Sequence, residues 1–296
     1  MGIYEEISSN VRKSYVLIFL FFVVIVLLGY ALGAVYGNPM IGLTIAFIIS
    51  FFYILFSYFT GDSVILTLNS AKPADRRQYP HLVNTVEGLA IAAGIPTPKI
   101  YVIDDTAINA FATGRSPQHA AVTVTTGSLQ RLKRDELEGV LAHEISHIKN
   151  FDIRYMMLVV MLVGITLVLS DILLRSLWYG GGRRNSRGSG GAILIIVGLL
   201  LAILSPLIVR LVQLAISRRR EFLADASGAL LTRYPPGLAN ALKKIRDDKE
   251  PLVEAADRST AHLYIENPLV KTRKRLSSVW STHPDVNERI KRLEGM

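Results

Sequence analysis

The chain has 296 residues, 50% of them hydrophobic, a formal charge of +9 and no cysteine. The missing cysteine excludes disulfides, thiolate metal ligands and a cysteine nucleophile, so a metal site here must be built from His, Asp or Glu. Because the apolar residues are bunched, the positive charge fits membrane flanks beside anionic lipid better than it fits nucleic-acid binding.

Residues 15–36 and 39–61 carry no charge, and each is long enough to cross a hydrocarbon core of about 30 Å as a helix. The first run is too long for a signal peptide and reads as an anchor. Its aromatic neighbours in the second run, Phe51, Phe52, Tyr53 and Phe56, read as lipid-facing or interhelical packing. Two later stretches, 155–179 (interrupted by Asp171 and Arg175) and 192–216 (interrupted by Arg210), also read as membrane helices. The Gly- and Ser-rich residues 180–191 read as a flexible linker, with anionic-lipid contact through its arginines as the alternative. Arg12 and Lys13 precede the first span and Arg218, Arg219 and Arg220 follow the last, which places both ends in the cytoplasm with about four crossings. Arg183, Arg184 and Arg187 in the linker run against that topology.

Between the second and third apolar runs, residues 79–93 read as a helix, and 99–103, 110–113 and 120–125 as short strands. Pro96 and Pro98 punctuate the start, and Gly114 with Ser116 and Pro117 suits the turn between the last two strands. Residues 121–125 alternate small and β-branched side chains, the pattern of an edge strand onto which an extended peptide could pair. Asn109 is either a turn residue or an amide that holds substrate.

Leu137, Val140, Leu141, Ile145 and Ile148 then recur at helical spacing, with Asp135, Glu136 and Glu138 at the N-terminal end. On this helix stands His143-Glu144-Ile145-Ser146-His147, an HExxH pattern. Side chains at i and i+4 share a helix face, so His143 and His147 can grip one ion while Glu144, beside them, serves as general base toward water. A plain polar helix face gives the same five residues by chance. Arg131, Lys133, Arg134, Lys149, Asp152 and Arg154 crowd the helix and place it in water or at an interface.

A catalytic zinc needs three protein ligands and an open position. After the fourth apolar stretch, Glu221 and Asp225 sit at i and i+4. Glu221 is the best third ligand, and Asp225 would accept a hydrogen bond from a ligating imidazole. Taken alone, acids following three arginines also suit solvated ion pairs. His283, followed by Pro284 and Asp285, opens a last helix with Val286, Ile290 and Leu293 as its stripe; it is either a helix-entry packing residue or a donor to an oxyanion. His81, His119 and His262 have no spaced partner and read as surface or packing residues.

HExxH, a membrane-apolar interval and then Glu221-Phe222-Leu223-Ala224-Asp225 together resemble the HtpX family of membrane metalloproteases, related to the integral-membrane prenyl-protein proteases. Residues 109–112, 123–129 and Thr282-His283-Pro284 resemble that family too. The resemblance implies one zinc ion per chain held by His143, His147 and Glu221, with Glu144 as the base. It also implies a zincin-like α+β domain facing the cytoplasm and a part in membrane-protein quality control under stress.

The expected protein is thus a mainly α, multi-pass protein of the cell membrane with a small cytoplasmic sheet. Residues 1–61 hold two spans, 62–154 the first part of the catalytic domain, 155–216 two more spans, and 217–296 the second part with the third ligand. The expected activity is a zinc endopeptidase acting on membrane or misfolded proteins, with the bilayer as its other partner and no nucleic acid. Two competing readings are an intramembrane zinc protease and a membrane scaffold or holdase with a structural zinc. The scaffold leaves Glu144 without a purpose.

Overall fold

In the computed structural model, residues 3–35, 37–165, 218–248, 260, 263–265 and 284–296 are described. The linker at 180–191, the third apolar stretch beyond residue 165, the fourth stretch, His262 and His283 lie outside the described residues. The uncharged runs lie inside two longer helices, α1 (Ile3–Val35) and α2 (Pro39–Leu68). Between them Gly37 takes a left-handed φ of 84°, and the Asn38 side chain accepts from the Ile41 N–H. Both helices are long and apolar enough to cross a membrane, over Ser8–Leu27 and Pro39–Leu68. They leave Phe19, Ile49 and Phe52 exposed on their outer faces.

The polypeptide then leaves the apolar pair. A short strand β1 (Lys72–Pro73) is followed by α3 (Pro80–Ala93), β2 (Lys99–Ile103), β3 (Ala110–Ser116) and β4 (His119–Thr125). The expected helix and three strands are all present, and the sheet order is β1-β2-β4-β3. β4 pairs with β2 in parallel and with β3 antiparallel. Two expectations are corrected here. Residues 121–125 form an interior strand, flanked on both sides, so the peptide-accepting edge cannot be β4; the edge is β3. Gly114 is not in the turn but inside β3 at a bulge, with φ 139°, where a Cβ would collide with the His119 carbonyl.

A one-turn helix α4 (Thr126–Arg131) leads to α5 (Arg134–Lys149), whose start is capped by Glu136: its carboxylate accepts from the Lys133 N–H at 2.7 Å and meets Lys244 Nζ at 2.6 Å. From Gly139 to Ile148 every residue of α5 is buried. The expected apolar stripe is there, but the histidine face is covered as well. The cover comes from α6 (residues 152–165), α7 (Arg218–Thr232), α8 (Pro235–Asp247) and α9 (Val286–Glu294). Val86, Val122, Val140, Leu141, Leu238 and Ile290 close one core around α5. A second cluster joins α1 to α6 through Leu17, Phe21, Leu158 and Leu162, so the apolar helices and the α+β part share packing. As expected from Val286, Ile290 and Leu293, α9 is amphipathic, and it begins at Asp285, whose side chain accepts from Asn287.

Candidate metal centre

The close approach of α7 to α5 builds the site. Glu221, Asp225 and Gly228 lie at i, i+4 and i+7 on one face of α7. A Cβ on Gly228 would sit 3.0 Å from the His143 backbone nitrogen, so the missing side chain lets α7 come down onto the HExxH turn. His143, Glu144, His147, Glu221 and Asp225 are all buried, at 1%, 3%, 4%, 4% and 2% exposure.

One ligand atom from each of His143, His147 and Glu221 falls within 4.8 Å of the others. The two imidazole Nε2 atoms are 3.1 Å apart, and the Glu221 oxygens lie 3.7 Å from His143 Nε2 and 3.6 Å from His147 Nε2. Both Nδ1 atoms are claimed by carboxylates. Asp225 Oδ1 is 3.0 Å from His143 Nδ1, and Asp152 Oδ2 is 2.9 Å from His147 Nδ1. A carboxylate accepts only, so each ring carries its proton on Nδ1 and turns a lone pair on Nε2 toward the other ring and toward Glu221. Three acceptors facing one another call for a cation. Tetrahedral bonds of about 2.0–2.1 Å would separate donor atoms by roughly 3.3 Å, which the observed spacings bracket. The residues fit zinc.

Titration of the metal-free site follows the same logic. Burial holds His143 down at about 4 against the pull of Asp225, with Arg289 adding to the depression. Burial also opposes charging of His147, but the Asp152 hydrogen bond and the charges of Glu221, Asp152 and Glu144 outweigh it and lift the ring to about 9. The two rings are thus pushed in opposite directions, His143 down and His147 up. Burial raises Glu144 to about 7, with Glu221 adding and His147 and Arg289 opposing. The backbone N–H of Ala112 in β3, the edge strand, adds a smaller downward pull on the Glu144 carboxyl.

Asp225 stands where the sequence places it. Burial would raise its carboxyl, yet Arg289 and His143 bring it down to about 2. Asn109 is buried at the start of β3, and its side-chain oxygen accepts from the Ala110 N–H, a local turn contact. Its backbone N–H donates to Thr125 Oγ1 at 3.1 Å and to Ser128 Oγ at 2.8 Å. His81 and His119 stand outside the cluster, in contact with Thr85 and Ser116.

Two residues of the site escaped the sequence reading. Arg289, 1% exposed on α9, forks onto Asp225 with bonds of 2.8 and 2.7 Å and reaches 3.8 Å from Glu221 Oε2. The signal was an arginine inside an otherwise apolar stripe, beside Ile290. Asp152 stands five residues after His147 and read as one more solvated charge. What turns it inward is Phe151, a non-glycine residue at φ 59° that ends α5 and starts α6 at once. Arg154 Cζ sits 5.0 Å from the centre of the Phe151 ring and holds the bend.

The model of peptidase family M48 matches residues 76–296, a span that holds both halves of the cluster. A protease HtpX homolog of Dictyoglomus turgidum is 46% identical over 293 residues, covering 99% of this chain and 94% of that protein. One from Listeria monocytogenes is 44% identical over 305 residues, covering 99% and 100%. Among solved structures, Saccharomyces mikatae Ste24p aligns at a TM-score of 0.50 and 20% identity, over 98% of this chain and 66% of its own; the likeness is one of fold. A buried histidine–glutamate cluster split across an apolar interval, inside a match of this length, makes the chain a member of peptidase family M48.

Proposed function

We propose that the chain is a membrane-anchored, zinc-dependent endopeptidase. Its site faces the cytoplasm, and it cuts membrane or misfolded proteins as part of stress-related quality control. The observation that carries this reading is the convergence of His143, His147 and Glu221 within 4.8 Å, with the buried Glu144 next in chain to the first of them. Those three residues hold the ion. Two apolar helices at the start of the chain support the anchoring, and the arginine and lysine flanks support the orientation, with about four crossings in all. Quality control and the choice of substrate rest on the kinship with the HtpX homologs.

When bound, zinc supplies Lewis acidity to the attacking water and to the scissile carbonyl. Glu144 takes a proton from that water as its oxygen bonds to the carbonyl carbon, then returns the proton to the amine as the C–N bond breaks. Burial raises the proton affinity of the Glu144 carboxyl, the direction a proton shuttle needs. His283 and Asn109 are assigned as donors to the developing oxyanion or the substrate backbone, on sequence and kinship alone. An extended substrate would lie along β3, the edge strand whose Ala112 backbone lies near enough to Glu144 to lower its carboxyl.

The test compares wild type with Glu144→Gln, purified in detergent as the full chain, for zinc content and for cleavage of an unfolded protein and of the chain itself. Both should carry one zinc, and the variant should lose about 10²–10⁴ in rate. Equal cutting by both, or zinc with no cutting by either, would favour the scaffold. Undiminished zinc affinity in Glu221→Ala would remove the third ligand from the assignment.

A further inference from the structure

We propose that Asn10, on the first membrane helix, is a positioning residue of the metal centre: it holds Asp152, and through Asp152 it sets the ring of His147. The inference rests on the metal-centre reading above.

Asn10 is 1% exposed. Its Nδ2 donates to Asp152 Oδ1 at 2.6 Å and to the Asn150 carbonyl at 3.2 Å. Asp152 Oδ2 in turn faces His147 Nδ1 at 2.9 Å. Both neighbours of the amide nitrogen are pure acceptors, so the NH2 end, not the oxygen, must point at them. The other end supports a donor role. Asn10 Oδ1 is buried with no hydrogen-bond partner among the described residues. A side chain present only for packing would be better served by leucine, which fills the same space and orphans nothing. What asparagine adds is two N–H donors, spent on Asp152 and on the carbonyl that ends the HExxH helix.

The helix itself is fixed where this is needed. Leu17 and Phe21 of α1 pack against Tyr155, Leu158, Val159 and Leu162 of α6, the helix that Asp152 opens. Arg220 Nε, the neighbour in chain of Glu221, reaches the same Asp152 oxygen at 3.5 Å. Asp152 is therefore approached from α1, α5 and α7 at once. A carboxylate held by a donor keeps its second oxygen aimed at the imidazole, which keeps Nε2 of His147 aimed at the ion. An anchor helix thereby enters the chemistry.

Asn10→Leu in the full chain in detergent tests this, with zinc affinity measured by competition with a chelator. The variant should fold, bind one zinc at saturation, and bind it about 10–100-fold more weakly. Its cobalt-loaded absorption spectrum should differ from wild type, and kcat at saturating zinc should fall with KM unchanged. Asn10→Gln, which keeps the donors, should recover part of the affinity. Asp152→Asn with Asn10→Leu should be no weaker than Asp152→Asn alone, because Asn10 acts through Asp152. Wild-type affinity in Asn10→Leu, or losses that add in the double variant, would overturn the proposal. His147→Ala separates the two readings: if it has lost zinc while Asn10→Leu has not, only the Asn10 role falls; if His147→Ala binds as wild type does, the metal centre falls and Asn10 with it.

Discussion

His143 and His147 stand one turn apart on the same helix with their Nε2 atoms 3.1 Å apart, yet their Nδ1 atoms are held by opposite halves of the molecule. On the His143 side, Asp225 is gripped by Arg289 of the last helix, a charged fork with two short bonds. On the His147 side, Asp152 is held by the neutral amide of Asn10 on the first helix, with Arg220 farther off. The consequence is electrostatic. Burial pushes His143 down, with the Arg289 guanidinium adding to it, whereas at His147 the hydrogen bond to Asp152 and the charges of Glu221, Asp152 and Glu144 outweigh burial and pull the ring up. Identical side chains four residues apart thus have their basicity shifted in opposite directions.

The largest effect comes from breaking the charged side. Arg289→Met leaves the Asp225 carboxylate buried without its counter-charge and with only the His143 Nδ1–H as partner, which costs about 3–5 kcal/mol of stability in the metal-free chain, read by denaturant unfolding. Adding Asp225→Leu should recover most of that stability, since an apolar pair replaces the ionic one. It should not recover zinc affinity, because His143 has lost its acceptor. Recovery of both would show that Asp225 serves the fold and not the ring.

Next comes proton release. At pH 8, His143 (about 4) is unprotonated, Glu144 (about 7) is mostly ionised, and His147 (about 9) is mostly charged. Binding zinc at that pH should release roughly one proton, measured by calorimetry in buffers of differing ionisation enthalpy. Asp152→Asn should cut that number, and Asp225→Asn should leave it unchanged. The stability of the metal-free chain carries the matching signs. The raised His147 contributes stability that is complete below its unfolded value of 6.5 and is lost as pH rises through about 9. The depressed His143 works the other way: stability is lost as pH falls from 6.5 through about 4, because the unfolded chain takes up a proton that the folded one refuses.

The comparison also shows which parts of the site could be read from sequence. His143, Glu144 and His147 are legible because a helix turns a spacing of four into one face, and Glu221 with Asp225 repeats the device. Zinc's need for a third ligand connected the two. Three of the four strands were legible, but not β1 (two residues, too short for a pattern) and not the order: nothing in residues 121–125 tells an interior strand from an edge, since small and β-branched side chains suit both. Arg289 was hidden because a helix stripe is judged by its apolar members, and a buried guanidinium breaks that pattern only when its carboxylate is known. Asp152 and Asn10 were hidden for a different reason. One depends on a left-handed Phe151, and the other lies 142 residues away in chain from its partner.

The smallest effects test whether the fit of α7 on α5 matters apart from any charge. A Cβ at Gly228 would lie 3.0 Å from the His143 nitrogen and 3.2 Å from its Cα, all backbone that can yield only by moving the helices apart. Gly228→Ala should cost about 1 kcal/mol, at the low end of overpacking, and weaken zinc binding several-fold as Glu221 lifts from the two rings. Gly88, exposed in the middle of α3 with nothing within 4 Å of a Cβ, is the control. Gly88→Ala should gain roughly 0.5–1 kcal/mol from helix propensity and leave zinc affinity as it was. If Gly228→Ala instead gained stability with unchanged affinity, the close approach would not be what brings the two halves of the centre together, and the ligand geometry would have to be carried by Arg289 and Asp152 alone.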